Sequence, residues 1–288
     1  MKLPAFDYAA PSTPAEVVQL LAAHPGEAKV IAGGQSLLPT MAFRLAQPSL
    51  LIDLRNLKGL DRITIDKSGV VLGARTRWRD IEDDDRLTTA HPLLAEAVTH
   101  VAHYQIRNRG TVGGSLAHAD PASELPCIAA TCEAELRVLG RGGERRVTAA
   151  EFFLGPLTTA LADDEIILDI RLPPWPTGRR WAFSEFARRL GDFALAGVAA
   201  FYDLDARERA CNTHIGVLGA CHYSKRLPLA ERALDGKPVN AETAQSVARI
   251  ASEEADPISD FHAGAPYRKA LVATLLERAL AAAAGRKN

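Results

Sequence analysis

Long apolar runs are missing from this chain, and no stretch approaches the length of a membrane span. No transmembrane segment is therefore expected. The start, Met1-Lys2-Leu3-Pro4-Ala5-Phe6-Asp7, lacks the apolar centre of a signal peptide, so the expected location is cytoplasmic. Basic excess is missing too. Lys and Arg number 34 against 35 Asp and Glu, a formal net charge of −1, which gives nucleic acid no electrostatic footprint. Methionine (2 residues) and aromatics (6%) are sparse. The four cysteines, Cys127, Cys132, Cys211 and Cys221, contain no C-x-x-C pair. That spacing suggests neither zinc nor an iron–sulfur cluster, and buried free thiols are the plainer reading. There is no Ser/His/Asp arrangement, no metal-ligand spacing and no carboxylate pair that would make the chain a hydrolase. His100, His103 and His118 read as satisfied or solvated side chains. No catalytic residue and no metal ligand is expected.

What is present is an ordinary globular balance, 47% hydrophobic and 24% charged, in 288 residues. That length suffices for two or three domains with a substantial core. Thr13-Pro14-Ala15-Glu16 predicts a helix start, with Thr13 as N-cap, Pro14 in the first turn and Glu16 closing a capping box. His24-Pro25-Gly26 ends that helix. Ala28-Lys29-Val30-Ile31 predicts a strand, 37–45 a short helix and 50–54 a second strand: a βαβ unit with a parallel pair. Residues 62–65 and 70–73 flank Asp66-Lys67-Ser68-Gly69 as a hairpin. Helical segments follow near 77–82 and 92–102, then a glycine- and proline-marked loop over 108–126. A second hairpin is predicted around Arg141-Gly142-Gly143, and a further strand at 166–170. Pro173-Pro174-Trp175-Pro176-Thr177-Gly178 is the clearest boundary. Beyond it lie strand-like runs at 181–186, 194–202 and 213–218, then helical patterns near 241–254 and 267–283.

Two glycine pairs stand out. One lies in Ala32-Gly33-Gly34-Gln35-Ser36, between a strand and a helix. The other lies in Thr111-Val112-Gly113-Gly114-Ser115. Adjacent glycines permit positive φ and close ligand approach, and successive free N–H groups form an anion-binding concavity. Two such turns suit a ligand with two linked phosphates. Neither is G-x-G-x-x-G or G-x-x-x-x-G-K-[ST], so the Rossmann and P-loop readings fail. Taken alone, the first pair is more often just a tight turn, and either pair alone is a weak signal. After the second pair, Asp120 is placed to cap a helix opened by Pro121. Glu124 reads either as a partner for a ribityl or ribose hydroxyl or as a solvated first-turn carboxylate. Arg107 and Arg109 read as candidates to steady a pyrophosphate or as plain surface arginines.

Ala32-Gly33-Gly34-Gln35-Ser36-Leu37-Leu38-Pro39, together with Gln105-Ile106-Arg107 through Pro126, resembles the FAD-binding medium subunit of molybdenum hydroxylases. That is the group of the carbon monoxide dehydrogenase flavoprotein subunit and the xanthine dehydrogenase FAD domain. Asp53-Leu54-Arg55, Leu190-Gly191-Asp192-Phe193-Ala194 and Tyr267-Arg268-Lys269 fit as well, so the resemblance covers essentially the whole chain. It implies an α+β fold in three parts. Residues 1–57 would be an N-terminal α/β FAD subdomain and 58–176 a middle FAD subdomain with an antiparallel sheet. Residues 177–288 would be a C-terminal domain with a three-stranded antiparallel sheet and a helical bundle. FAD is the implied cofactor. The implied contacts are Ala32, Gly33, Gly34, Gln35, Ser36, Thr111, Gly113, Gly114, Ser115, Glu124, the backbone near Ile167, and Phe193 against the isoalloxazine ring. The implied partners are a small [2Fe–2S] subunit and a large molybdopterin subunit, in a dimer of heterotrimers. Electrons would enter from iron–sulfur centres and leave through FAD to an external acceptor. Three positions depart from the pattern: Ser115 where Asn is frequent, Ala187 where some relatives carry Lys, and Phe193 in place of Tyr. Two other classes fit the residues less closely: a self-contained flavoprotein oxidase and a flavin-free assembly subunit.

Overall fold

Thr13 starts the first helix, Pro14–Ala23, through a complete capping box. Its hydroxyl accepts from the Glu16 N–H at 3.2 Å, and the Glu16 carboxylate accepts from the Thr13 N–H at 3.3 Å. The computed structural model describes residues 2–286. Strand β1 (Asp7–Ala9) precedes this helix; β2 (Ala28–Ile31) and β3 (Leu50–Asp53) follow it. They form a parallel sheet in the order β1-β3-β2, with the predicted βαβ crossover running through the Leu37–Ala42 helix. The sequence gives no signal for β1, because three mostly exposed residues carry no alternation. Asp53 fastens it: the Tyr8 hydroxyl donates to one carboxylate oxygen at 2.9 Å, and the Arg55 N–H donates to the other at 2.8 Å.

The predicted hairpins form as β4 (Ile63–Asp66) with β5 (Gly69–Gly73) and β6 (Glu135–Gly140) with β7 (Gly143–Thr148). A small unpredicted ribbon, β8 (Phe153–Gly155) and β9 (Thr158–Thr159), comes next. Strand β10 (Ile166–Leu172) then joins the two hairpins into an antiparallel sheet, β4-β5-β10-β6-β7. Residues of β6 alternate between buried and half-buried, as a strand with one covered face requires.

The proline-rich boundary is docked against the fold. Trp175 lies 4.7 Å from the His91 ring and 5.4 Å from Phe201, and the Arg179 guanidinium covers both Trp175 and Phe201. Beyond it, β11 (Arg180–Phe186), β12 (Ala196–Leu204) and β13 (Ala210–Leu218) form the expected antiparallel sheet, extended by the two-residue edge strand β14 (Lys225–Arg226). The helices Ala241–Glu254 and Ala265–Gly285 cover one face of it, through Val247, Ala251, Leu276 and Ala279. Side chains on the other face, among them Phe183, Ala199 and Phe201, join the core of the middle sheet. With both faces covered, seven successive residues of β12 are buried, which is why that stretch reads as a continuous apolar run.

One segment differs from expectation. The 108–126 stretch is largely helical. Helix Val112–His118 starts at Thr111, and helix Glu124–Thr131 starts at Ser123. Asp120 does not cap a helix at Pro121; its carboxylate accepts from the Ala122 N–H at 2.9 Å and closes a turn ahead of the helix. Helix Val112–His118 is short and glycine-containing, so propensity alone gives no sign of it. Among the described residues, no helix is long and apolar enough to cross a membrane, and no His/Cys/Asp/Glu group is arranged to hold a metal ion.

Candidate functional site

A cleft of about 680 Å³ opens between the first sheet and the middle of the chain. All the residues singled out above as contacts line it: Ala32, Gly33, Gly34, Gln35 and Ser36 on one wall, Thr111, Gly113, Gly114 and Ser115 on another, with Glu124, Ile167 and Phe193 around them.

The first wall is a turn that leaves its N–H groups free. The Gln35 side-chain amide donates to the Gly33 carbonyl at 3.1 Å and folds the turn back on itself. Gly34 has φ +73°, a conformation that a side chain resists. Among the described residues, the backbone N–H groups from Gly33 to Leu37 meet no protein acceptor. Five successive unpaired donors beside a cleft form a concavity for anionic oxygens. Gly33 serves a further purpose. A Cβ there would sit 2.0 Å from the carbonyl oxygen of Arg109, so the absence of a side chain lets the two walls meet backbone to backbone.

The second wall corrects the expectation of a matching concavity. Thr111 caps the helix with its hydroxyl, accepting from the Gly114 N–H at 3.2 Å. The Val112 N–H donates to the Thr76 carbonyl, that of Gly113 to Ala74 and that of Ser115 to Thr111. These donors are spent inside the protein. Gly113 is buried, and a Cβ there would meet the Ala74 Cβ at 2.6 Å, so its glycine answers to packing. Gly114 is exposed to the cleft, and a Cβ there would meet only the Thr111 hydroxyl, at 2.9 Å. The second pair thus supplies a flat surface for close approach. Arg107 is likewise taken: it pairs with Glu82 at 3.1 Å and donates to the carbonyls of Val101 and Ala102.

Glu124 opens its helix at the cleft wall. It touches the cleft yet is otherwise enclosed by protein, and burial pushes its carboxyl up to about 7, with the charge of Asp120 adding to the effect. A carboxyl poised there both accepts and donates hydrogen bonds near neutral pH. Ile167 lies where the register of β10 against β6 shifts between Ile167 and Asp169, an irregularity of the kind that turns backbone toward a site. Phe193 is 68% exposed, so it is not a core residue. Its segment is anchored at both ends. Gly191 packs on the His103 ring, where a Cβ would come within 2.1 Å, and the buried Arg268 guanidinium donates to the Leu195 carbonyl at 2.6 Å and the Gly219 carbonyl at 2.7 Å.

The ribbon residues Leu157, Thr158 and Thr159 also line the cleft, as do His118 and Asp192. The ribbon carries no sequence signal, because its strands are too short to show periodicity. A second buried carboxyl, Glu185, stands close enough for the charge of Glu124 to act on it. This carboxylate pairing joins residues 61 positions apart in sequence and leaves no local trace.

Residues 4–175 match the family described as the FAD binding domain in molybdopterin dehydrogenase, and residues 181–283 match the carbon monoxide dehydrogenase flavoprotein C-terminal domain. The chain belongs to this family. FAD is its cofactor, and it is the flavoprotein subunit of a molybdenum-dependent dehydrogenase complex, an oxidoreductase. It is 41% identical to the nicotine 6-hydroxylase medium subunit of Paenarthrobacter nicotinovorans, over 99% of this chain and 100% of that protein. It is 36% identical to the carbon monoxide dehydrogenase medium chain of Hydrogenophaga pseudoflava, over 97% of each. Among solved structures it matches carbon monoxide dehydrogenase from that organism with a TM-score of 0.96 and 37% identity, over 100% of both chains. It also matches quinoline 2-oxidoreductase from Pseudomonas putida 86 with a TM-score of 0.93 and 38% identity, over 99% and 98%. The cleft fits the cofactor on its own terms: N–H donors for a pyrophosphate, a wall at Gly114 without a side chain, a half-buried carboxyl and an exposed aromatic ring.

Proposed function

We propose that this subunit is an electron relay. It would take electrons from the iron–sulfur centres of a small [2Fe–2S] subunit and pass them through FAD to an external acceptor, while a large molybdopterin subunit oxidises the organic substrate. Flavin supplies the redox chemistry, since it accepts electrons singly and releases them as a pair. The chain's own residues bind and orient it. The N–H groups from Gly33 to Leu37 hold the pyrophosphate oxygens, with Ala32, Gln35 and Ser36 shaping that turn. Thr111, Gly113, Gly114 and Ser115 form the flat wall along which the cofactor lies. Glu124 would bond a hydroxyl of the ribityl or ribose, the backbone near Ile167 would contact the cofactor, and Phe193 would lie against the isoalloxazine. In this reading residues 1–57 and 58–176 are the two halves of the cradle, and 177–288 supply Phe193. The observation that carries it is the run of five unpaired donors facing the same cleft as an exposed aromatic ring.

The assembly we infer is a dimer of heterotrimers. The four cysteines are free thiols, which supports a reducing cytoplasmic setting. Purification of the complex from its host, followed by flavin, iron and molybdenum analysis, tests the assignment. One FAD per copy of this chain, co-purifying with iron and molybdenum on two other chains, is the expected result. A flavin-free complex sinks it. Flavin reduction by an organic substrate in the isolated chain would point instead to a self-contained oxidase.

A further inference from the structure

Glu124 sits half-buried in the wall of the cleft. Among the described residues no cation acts on its carboxyl. Its own N–H favours the charged form, and the Asp120 carboxylate opposes it. Groups bearing on it from elsewhere bring no counter-charge. Glu185 on β11 is a second carboxyl within reach of its charge, and Cys127 lies one turn along its own helix. His118 is the one imidazole in the same lining. That lining is poor in positive charge. Among the described residues Lys29 is its single ammonium and no arginine belongs to it. Asp163 and Asp192 are acids there, and Glu165 is already paired with Arg145 at 2.6 Å. The N–H groups from Gly33 to Leu37 are dipoles without net charge. A pyrophosphate brings two negative charges into this setting, and a bound cofactor displaces the water that still reaches Glu124. Both changes penalise a carboxylate and spare a neutral carboxyl.

We propose that Glu124 holds the cofactor as a neutral acid, so that binding FAD draws one proton from solvent onto its carboxylate. The inference rests on the reading that FAD fills this cleft with a ribityl or ribose hydroxyl beside Glu124. No bond of the cofactor is made or broken. The proton leaves the buffer and ends on a Glu124 oxygen, and that O–H donates to the hydroxyl oxygen. The chain alone already holds this carboxyl near neutrality, since burial, with Asp120 assisting, puts it at about 7. Bound FAD raises it further. Below about 7 the carboxyl is protonated before and after binding, and affinity has its full value. As pH climbs from there toward the raised value in the complex, binding has to take up a proton. Affinity then falls by up to about tenfold per pH unit. Glu124 thus makes flavin retention sensitive to alkali just above neutrality.

The test takes the purified complex, strips its flavin and titrates it with FAD from about pH 6 to about pH 9, a window centred on the upper edge of the Glu124 transition. Fluorescence of the added FAD gives Kd, and calorimetry in two buffers of different ionisation enthalpy counts protons. Kd should be flat at the acid end and rise by up to about tenfold per unit above neutrality, with close to one proton taken up per FAD on that slope. Glu124→Gln fixes the side chain as a neutral donor. Its Kd should lose the slope and its proton uptake should vanish, which no purely structural role would produce. Asp120→Asn keeps an acceptor for the Ala122 N–H and removes one like charge, so the slope should begin at lower pH. This variant keeps the test decisive should Glu124→Gln fail to fold. A parent Kd independent of pH overturns the proposal. So does proton uptake that persists in Glu124→Gln, which would place the proton on His118. Flavin content is measured first. A purified complex without flavin refutes the flavin reading, whereas full FAD binding without proton uptake refutes the linkage alone.

Discussion

The two glycine pairs look alike in sequence and do opposite things in space. At Gly33-Gly34 the chain turns beside the cleft, and the five N–H groups from Gly33 to Leu37 meet no acceptor among the described residues. At Gly113-Gly114 the chain is already helical, and the corresponding donors are bonded to Thr76, Ala74 and Thr111. Within each pair the labour divides again. Gly33 and Gly113 are glycines because neighbouring protein atoms leave no room, whereas Gly34 answers to backbone conformation and Gly114 to the open cleft. A dipeptide therefore does not define an anion site; the fate of its N–H groups does.

Five substitutions, one of them followed across pH, break or sharpen this comparison. Gly33→Val has the largest expected effect. Its Cβ would press on the Arg109 carbonyl oxygen, which is backbone and cannot move aside. A loss of about 3 kcal/mol or more is expected, read as a collapsed melting temperature or insoluble protein. Gly113→Val, against Ala74, should behave alike, so stable protein from either variant would undo the packing account. Next comes Gly114→Val, whose Cβ would press on the Thr111 hydroxyl at 2.9 Å while the rest of its side chain meets the cleft. It should fold, about 1 kcal/mol less stable through the disturbed cap, and carry almost no flavin; normal flavin absorbance would remove this wall from the site. Gly34→Ala forces alanine to φ +73° and should cost about 1–2 kcal/mol in thermal or urea unfolding, with weakened rather than abolished flavin binding.

The smallest effect is a pH dependence at Glu124. Its folded proton affinity is raised, so between 4.5 and about 7 the unfolded chain gives up a proton that the folded chain keeps. Stability contributed by this group therefore falls as pH rises through that window and is constant above it. In Glu124→Gln the slope over the same window should shift toward stability rising with pH. An identical profile in parent and variant would show that Glu124 is not buried as described.

Much of this was legible in the chain because it is written locally. The capping box at Thr13, the hairpin at Asp66-Lys67-Ser68-Gly69 and the apolar run of β12 each carry their own signal within a few residues. The family resemblance likewise rested on contiguous motifs. What escaped was decided by distance or by spent hydrogen bonds. The occupancy of the Gly113 N–H depends on Ala74, and the effect of the Glu124 charge at Glu185 on two elements brought together by the fold. Strands β1, β8 and β9 are too short for period-two alternation to appear. The helical state of Val112–His118 depends on the cap at Thr111 and on packing, against the preference of its two glycines.

Arg268 has a consequence that reaches beyond its own helix. Its guanidinium ties the start of the long C-terminal helix to the carbonyls of Leu195 and Gly219 and to Asp260. Leu195 follows Phe193 by two residues, and the Gly219 N–H in turn grips the Pro121 carbonyl, just ahead of Glu124. The last helix is thus a stay whose cable ends on both banks of the cleft. One buried guanidinium thus anchors the segment that carries the exposed ring and the loop that bonds the turn ahead of the carboxyl.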